Sequence, residues 1–316
     1  MKNFAYTVAS NFPAASRALQ AKGTVVKAGG IDLLDLLKER IVEPDEAVSL
    51  KDAKRDGPAG EISALTTLAD LAADRGISRD FPALHRAAAI AATPQVRNVA
   101  TMGGNLCQHT RCWYFRNKDF ACFKRGTGAC AAQAAGALNR YHAVFPARQC
   151  GCAHPSNLAP ALIALDARLA CVHPDGDRTL DVALLYDEPR KGQLNNTTLR
   201  TGELIRGVAL KASPLTRRST YVEFRERESF DFAAVSVAVA LDVVDGVVRD
   251  VRIVLGAVAP TPYRAKAAED ALRGKPLDAG KAAELAVKGA KPLEQSAYKV
   301  TIAQTLVRRA LEGLVS

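Results

Sequence analysis

The 316-residue sequence predicts an α+β protein built from two domains. Helix and strand patterns alternate up to about residue 210. Beyond that point, two β-rich runs flank Asp245-Gly246, a dipeptide typical of hairpin turns, and three helical patterns follow. The length and the 48% content of hydrophobic residues suffice for two cores, because single cores stop growing efficiently near ~250–300 residues.

The first predicted unit is a strand, a tight turn and a helix. An apolar strand over 25–28 leads through Gly29-Gly30 into a helix. Apolar residues recur in that helix at helical spacing: Ile31, Leu33, Leu34 and Leu37.

The next segment predicts two helices and a loop. A helix after residue 63 is expected to be capped by Thr66 or Thr67 and ended by Gly76, and a second helix is expected to stop before Pro94. The stretch TPQVRNVATMGGNL is expected to be a loop that carries a second glycine pair, Gly103-Gly104.

The remaining elements complete both domains. A helix near 157–165 and a strand near 167–172 precede an Asp175-Gly176 turn. The polar segment SPLTRRST at 213–220 predicts a linker, which places the domains at 1–213 and 217–316. The second domain is expected to hold a three-stranded antiparallel sheet, with 221–224 as its third strand, covered by helices near 264–273, 278–289 and 298–314.

The composition excludes several classes of protein. Asn3, Asn11 and Pro13 interrupt any apolar run at the N-terminus, and no stretch of about 18 apolar residues occurs, so neither an export signal nor a membrane span is predicted. Seven cysteines, an odd number bunched mid-chain, argue for reduced thiols or metal ligands in a cytoplasmic protein.

The net charge of +10 is concentrated in one segment. Residues 111–148 contain one acid, Asp119, and seven cations: Arg111, Arg116, Lys118, Lys124, Arg125, Arg140 and Arg148. Because the rest of the chain is nearly balanced and has no basic helix, nucleic-acid binding is not expected.

Two glycine pairs are candidates for an anion site. Gly29-Gly30 lies where a strand leads into a helix, so that backbone N–H groups of the turn can face an anion without a Cβ in the way. Gly103-Gly104 repeats the arrangement beside Thr101 and Asn105. Neither pair fits the dinucleotide or P-loop fingerprints, and each taken alone is equally a tight turn.

The motifs together resemble a known family. The combination AGGIDLL, EISALTTLADL, VRNVATMGGNL and HPSNLAPAL, spread over essentially the whole chain, resembles the FAD-binding medium subunits of the xanthine dehydrogenase and carbon monoxide dehydrogenase family of molybdenum hydroxylases. The resemblance implies a two-part FAD-binding domain of the PCMH/VAO type, followed by a small α+β domain like the C-terminal domain of CO dehydrogenase flavoproteins.

The resemblance also implies which residues bind FAD. Residues 27–34 and 101–105 would wrap the diphosphate and ribityl chain, and Ser156 and Asn157 would lie near the diphosphate or the flavin ring. The family more often has Asp at the position of Asn157. The predicted FAD-binding residues are Lys27, Ala28, Gly29, Gly30, Ile31, Asp32, Leu33, Leu34, Thr101, Gly103, Gly104, Asn105, Ser156 and Asn157.

The cysteine-rich segment, at about 107–152, resembles an insertion that a subset of the family carries. In PaoABC-type aldehyde oxidoreductases and in 4-hydroxybenzoyl-CoA reductase that insertion binds a 4Fe-4S cluster. The resemblance assigns four ligands, with Cys152 as an alternative to the last: Cys112, Cys122, Cys130 and Cys150.

The residues alone allow three interpretations of these thiols. Four thiolates on an oxidised 4Fe-4S cube leave a charge of about −2, which nearby cations would offset, raising the reduction potential. Structural zinc also takes four cysteines, but usually in closely spaced pairs, and the third possibility is unligated thiols. Cys107 and Cys171 are interpreted as packing residues, and His109, His142 and His154 as hydrogen-bonded structural residues.

The resemblance implies an oxidoreductase subunit that transfers electrons and carries no catalytic residue for the substrate. A large subunit with a molybdenum cofactor would oxidise the substrate, and a small subunit with 2Fe-2S clusters would pass electrons through FAD to an external acceptor. The alternatives are the FAD and 4Fe-4S subunit of a 4-hydroxybenzoyl-CoA reductase-like enzyme, a stand-alone flavin oxidoreductase, and a scaffold that holds zinc. An assembled heterotrimer could still become periplasmic through a partner's export signal.

Overall fold

The computed structural model describes residues 1–53, 60–146 and 149–315. Arg148, counted above among the cations of the insertion, lies outside them. Within the described ranges, no helix is both long enough and apolar enough to cross a bilayer.

A small three-stranded parallel sheet begins the chain. Its strands lie in the order β1-β3-β2, and each pair is parallel. The elements are β1 (Ala5–Val8), α1 (Phe12–Ala18), β2 (Thr24–Lys27), α2 (Ile31–Lys38) and β3 (Glu46–Ser49). The predicted strand, turn and helix around the first glycine pair are therefore present.

A helical layer and a four-stranded antiparallel sheet form the second part. The sheet has the order β4-β7-β5-β6. Its elements are β4 (Glu61–Ser63), α3 (Leu68–Ala73), α4 (Arg75–Asp80), α5 (Pro82–Ile90), α6 (Pro94–Arg97), α7 (Met102–Leu106), α8 (Trp113–Arg116), α9 (Leu158–Ala164), β5 (Arg168–Val172), β6 (Arg178–Asp181) and β7 (Leu204–Ala209), with short 3-10 helices at Ala131–Gln133 and Val182–Leu185.

The helices of this layer differ from the prediction in two places. Thr67 caps α3 in a capping box with Asp70, as expected, but α3 ends at Ala73, because the Asp74 side chain accepts the Ile77 N–H and starts a new helix that contains Gly76. The predicted loop at 93–106 was wrong: threonine caps at Thr93 and Thr101 begin α6 and α7 there.

The C-terminal part contains an antiparallel sheet of four strands, one more than predicted. A short helix in the predicted linker leads into it, and three helices follow. The elements are α10 (Pro214–Arg217), β8 (Ser219–Phe224), β9 (Val235–Val244), β10 (Val247–Gly256), β11 (Tyr263–Arg264), α11 (Lys266–Leu272), α12 (Ala279–Ala286) and α13 (Tyr298–Glu312). The fourth strand, β11, has only two residues, which is too short for a sequence pattern to reveal.

The predicted hairpin joins β9 to β10. Val244 pairs with Val247, and both Asp245 and Gly246 have positive φ, as a two-residue hairpin turn requires. Alternate side chains of β9 face opposite cores: Val237 and Val239 pack on the C-terminal helices, whereas Ala238 lies in the core around α9. Burial on both faces accounts for the unbroken apolar run in this strand.

The core around α9 crosses the predicted domain boundary. Every residue of α9 is buried, and its cluster includes Tyr221 and Val254 from the C-terminal sheet. An added Cβ at Gly256 would lie 2.8 Å from Cγ of Pro160, so glycine permits the close contact of α9 with β10. The two predicted domains therefore share one packed interface.

Lys299 joins helix α13 to the cysteine-rich insertion. This fully buried side chain donates hydrogen bonds from Nζ to the carbonyl oxygens of Tyr141 (3.3 Å), His142 (2.9 Å) and Ala257 (2.6 Å). The three N–H donors of an ammonium group thus meet three backbone acceptors.

We expect Lys299→Met to destabilise the chain by at least about 3 kcal/mol, because methionine leaves three buried carbonyls without a donor. Urea denaturation measures the change in the free energy of unfolding. Lys281→Met is the matched control, since that side chain is 58% exposed and is expected to change stability by less than about 0.5 kcal/mol. Equal stability of both variants would contradict the anchoring role.

Candidate functional site

The two glycine segments border a common cleft of about 280 Å³. Four of its lining residues belong to the predicted FAD set: Lys27, Ala28, Gly29 and Thr101. Six others were not predicted: Leu50, Lys51, Leu65, Thr67, Asn98 and Val99. The volume is close to the lower end of the range for ligand clefts, and the two lysines of its mixed polar and apolar lining suit an anionic group such as a diphosphate.

Gly29 holds the two segments together. A Cβ built on it would lie 2.0 Å from the carbonyl oxygen of Val99, so only glycine allows the backbones to approach this closely. Gly30 has φ of 84° and caps α2 without a side-chain hydrogen bond, which leaves N–H groups of the first turn available to an anion. The first glycine pair therefore fits a close approach of diphosphate oxygens.

The second glycine pair lies inside helix α7, where a turn was expected. The Thr101 hydroxyl accepts the Gly104 N–H (3.2 Å). A Cβ on Gly103 would lie 3.0 Å from that of Ala64, so this glycine allows α7 to pack closely on the chain after β4. The close approach at Gly103 is thus to protein atoms.

Asn105 and Ser156, which are distant in sequence, meet directly. The Ser156 hydroxyl donates to Oδ1 of Asn105 (2.6 Å), and the same oxygen accepts the Leu158 N–H (3.2 Å). This contact fixes the start of α9 against the end of α7. Both residues lie outside the lining of the cleft.

Asn157 faces the C-terminal sheet. Its amide donates to the Tyr221 hydroxyl (3.2 Å) and to the Glu223 carboxylate (2.8 Å). An aspartate at this position would bring a second carboxylate against Glu223, whereas the amide supplies a donor. This environment explains why asparagine suits position 157 here.

Asp32 connects the first glycine segment to the cysteine-rich insertion. Its carboxylate accepts the backbone N–H (2.9 Å) and ring Nδ1 (2.8 Å) of His109, and it pairs with Arg111 (3.0 Å) and Arg116 (2.7 Å). Burial alone would raise the pKa of Asp32, but the His109 hydrogen bond and the two arginines outweigh it and hold the pKa well below its usual range. Asp32 is thus fully engaged by protein groups.

Helix α2 also packs on the insertion through apolar contacts. Leu36 forms a small buried cluster with Phe115 and Cys122. The cleft therefore lies at the turn that precedes α2, through Lys27, Ala28 and Gly29, and the insertion packs on the helix itself.

The structure brings the predicted ligand cysteines and Cys152 into one region. The Cys150 thiol interacts with the sulfurs of Cys130 and Cys152, which raises the pKa of Cys150 and lowers the pKa of each of its two neighbours. Burial raises the pKa of Cys112 to about 12, and its sulfur lies 3.2 Å from Nε2 of His142. Cys122 is buried nearby.

The geometry and chemistry of the cysteine sulfurs indicate which kind of metal group they could bind. Within 1–53, 60–146 and 149–315, no three His, Cys, Asp or Glu side chains converge on a point where one metal ion could bind. A multi-iron cluster does not require such convergence, because each thiolate binds a separate iron. The all-sulfur donor set is compatible with such a group, and in the described part of the chain the buried Nδ1 of His142 has no hydrogen-bond partner.

The remaining cysteines and histidines lie apart from this set. Burial raises the pKa of both Cys107 and Cys171 to about 12, as expected for packed thiols. His109 binds Asp32, and burial lowers the pKa of His154 to about 3, so that its ring is neutral and accepts the Ser156 N–H (3.4 Å).

The cleft lies at the turn before α2, the sulfur-rich insertion packs on that helix, and the fold defines the class. Carbon monoxide dehydrogenase from Hydrogenophaga pseudoflava contains a similar chain, with a TM-score of 0.75 at 24% identity, covering 99% of this chain and 97% of the other. A chain of quinoline 2-oxidoreductase from Pseudomonas putida 86 gives a TM-score of 0.74 at 23% identity over all of both chains. At these identities the likeness shows the fold alone.

Sequence comparison shows the family. Residues 2–210 match the FAD binding domain in molybdopterin dehydrogenase, and residues 219–314 match the CO dehydrogenase flavoprotein C-terminal domain. The chain is 38% identical over 278 residues to the aldehyde oxidoreductase FAD-binding subunit PaoB of Escherichia coli K12, covering 85% of this chain and 86% of that one. It is also 25% identical to the carbon monoxide dehydrogenase medium chain of H. pseudoflava, covering 90% and 87%.

This chain therefore belongs to the family of FAD-binding subunits of molybdenum hydroxylases. The resemblance, the fold class and the assignment to oxidoreductases are confirmed.

Proposed function

We propose that this chain is the electron-transfer subunit of a heteromeric molybdenum hydroxylase and carries both FAD and a 4Fe-4S cluster. A large subunit with a molybdenum cofactor and a small subunit with 2Fe-2S clusters complete the complex. Electrons from the 2Fe-2S clusters pass through FAD to an external acceptor. The single observation that carries the proposal is that the cleft residues Lys27, Ala28 and Gly29 lead directly into helix α2, and that Leu36 of this helix packs on Phe115 and Cys122 of the insertion.

In this proposal the FAD diphosphate binds in the cleft. Lys27 and Lys51 line this cleft and supply positive charge, and the N–H groups of the first turn of α2, which begins two residues after the cleft residue Gly29, are the proposed donors to the diphosphate oxygens. Bound FAD supplies the exchange between one-electron and two-electron carriers. Three further predicted residues hold the neighbouring elements in place: Asp32 binds the insertion to the first turn of α2, and Asn105 and Ser156 fix α7 to α9.

Cys112, Cys122, Cys130 and Cys150 are the proposed cluster ligands, with Cys152 as the alternative to Cys150. These cysteines hold the cluster. Phe115, which is buried against Cys122, shields it. An aldehyde is the proposed substrate class for the whole complex, by analogy with the relative at 38% identity. The complex acts in the cytoplasm, or in the periplasm if a partner carries the export signal.

The ligand assignment predicts a specific pattern of iron loss. After the contribution of the partner's 2Fe-2S clusters is subtracted, serine at position 112, 122, 130 or 150 is expected to deplete the iron and acid-labile sulfide of this subunit to less than about half of the wild-type content, because serine is a poor ligand for a thiophilic cluster. Iron is assayed on protein purified anaerobically with its co-expressed partners, and flavin is assayed on the same sample.

The controls are Cys107→Ser and Cys171→Ser, which should keep their iron because both thiols lie outside the set. All six variants should keep FAD. Cys152→Ser decides the alternative: loss of iron in this variant and retention in Cys150→Ser would move the fourth ligand to Cys152. An equal iron content in every variant would contradict the assignment of a cluster to these cysteines.

A further inference from the structure

Lys124 is a buried lysine beside the cysteine set, two residues after Cys122. It is 2% exposed, and its ammonium group is close enough to interact electrostatically with Cys112, Cys122, Cys150 and Cys152. The ammonium donates to Oδ1 of Asn196 and lies 5.5 Å from the centre of the Phe115 ring.

The neutral partner of Lys124 is itself fixed in orientation. Asn196 donates from Nδ2 to the carbonyl oxygen of Pro260 (3.1 Å), which directs its Oδ1 toward the lysine. An amide oxygen accepts a hydrogen bond but leaves the charge of the ammonium group uncompensated.

The other cations of the insertion are arranged differently. Arg111, Arg116, Lys118 and Arg140 each pair with a carboxylate from a distant part of the chain. Arg125, which has no carboxylate partner in the described chain, donates to the carbonyls of Tyr114, Asn117 and Phe120 at the partly exposed edge. Among the described cations of the insertion, Lys124 is the buried one without an acidic partner.

We infer that the positive charge of Lys124 raises the reduction potential of the proposed cluster. The inference rests on the proposed function, because it requires the cluster to be present. One electron from the partner's 2Fe-2S clusters makes the cluster charge more negative by one, with no bond made or broken. A fixed positive charge in a desolvated site stabilises the reduced form more than the oxidised form and raises the potential.

The experiment is a redox titration of the cluster by electron paramagnetic resonance, on the intact complex. Lys124→Gln removes the charge and is expected to make reduction about tenfold less favourable, a shift of ~59 mV to lower potential. Lys118→Gln is the matched control in the same insertion: its side chain is 48% exposed and pairs with Glu43, so its potential should equal that of the wild type. The FAD content of all variants should be unchanged.

Asn196→Asp provides a second, independent variant if Lys124→Gln does not fold or does not retain iron. It keeps the lysine and offsets its charge with a carboxylate, so it should lower the potential in the same direction. A variant with full iron content whose potential equals that of Lys118→Gln overturns the inference and leaves the cluster assignment intact. A wild-type complex in which this subunit carries no iron overturns both.

Discussion

Replacing Gly29 by alanine is expected to weaken FAD binding at least tenfold, about 1.4 kcal/mol, and to destabilise the chain. The new methyl group would lie 2.0 Å from the carbonyl oxygen of Val99, so the two segments that line the cleft must separate. Overpacking of this kind costs ~1–3 kcal/mol where the backbone can shift, and more where it cannot. FAD titration of the apoprotein measures the affinity, and thermal unfolding measures stability.

Gly280→Ala is the control for this prediction. Gly280 lies in helix α12, where an added Cβ meets its nearest atom, Oδ1 of Asp278, at an ordinary contact distance of 3.5 Å. Alanine there should keep wild-type FAD affinity and leave stability unchanged or slightly higher. FAD affinity and stability at the wild-type level in Gly29→Ala would show that the cleft does not depend on the contact with Val99.

Replacing Asp32 by asparagine is expected to cost ~3–5 kcal/mol of folding stability at neutral pH. The amide keeps the shape but removes the charge that compensates Arg111 and Arg116, whose side chains are 24% and 9% exposed. Asp35→Asn is the control: Asp35 is 47% exposed and lies 3.3 Å from Arg111, so its loss should cost ~0–1 kcal/mol. Urea denaturation of the three proteins gives the comparison.

The Asp32 contribution has a defined pH dependence. Because the pKa of Asp32 in the folded chain lies below that in the unfolded chain, its stabilisation is fully present above the usual carboxyl pKa of ~4. The stabilisation is lost as the pH falls from there toward the folded pKa. The difference between wild type and Asp32→Asn should therefore be largest near neutral pH and shrink below about pH 4. A difference that does not vary with pH would contradict the ion-pair origin.

Local sequence patterns predicted the elements with strong local signals. The Asp245-Gly246 hairpin, the Thr67 cap and the three C-terminal helices each depend on residues within one or two turns of one another. The second glycine pair was harder to place, because glycine weakens any helical pattern. The cap at Thr101 and packing against Ala64 outweigh that preference.

The electrostatics of the insertion could not be read from the local sequence. Counting residues 111–148 alone gives a strongly positive segment, but the fold brings Asp32, Glu39, Glu43 and Glu226 to its arginines and lysines. Arg116, for example, pairs with two carboxylates, so reversing its charge would break the Asp32 site as well as alter the local field. Only the structure separates Lys124 from these compensated cations.

The most direct measurement of the central claim is the cofactor content of the wild-type protein. Anaerobic purification with the native partners, followed by assays of flavin, iron and acid-labile sulfide, gives the stoichiometry per chain, once the iron of the 2Fe-2S partner is subtracted. The account predicts one FAD, four iron and four sulfide for this subunit. A folded chain that lacks both flavin and iron, and takes up neither on reconstitution, would contradict it.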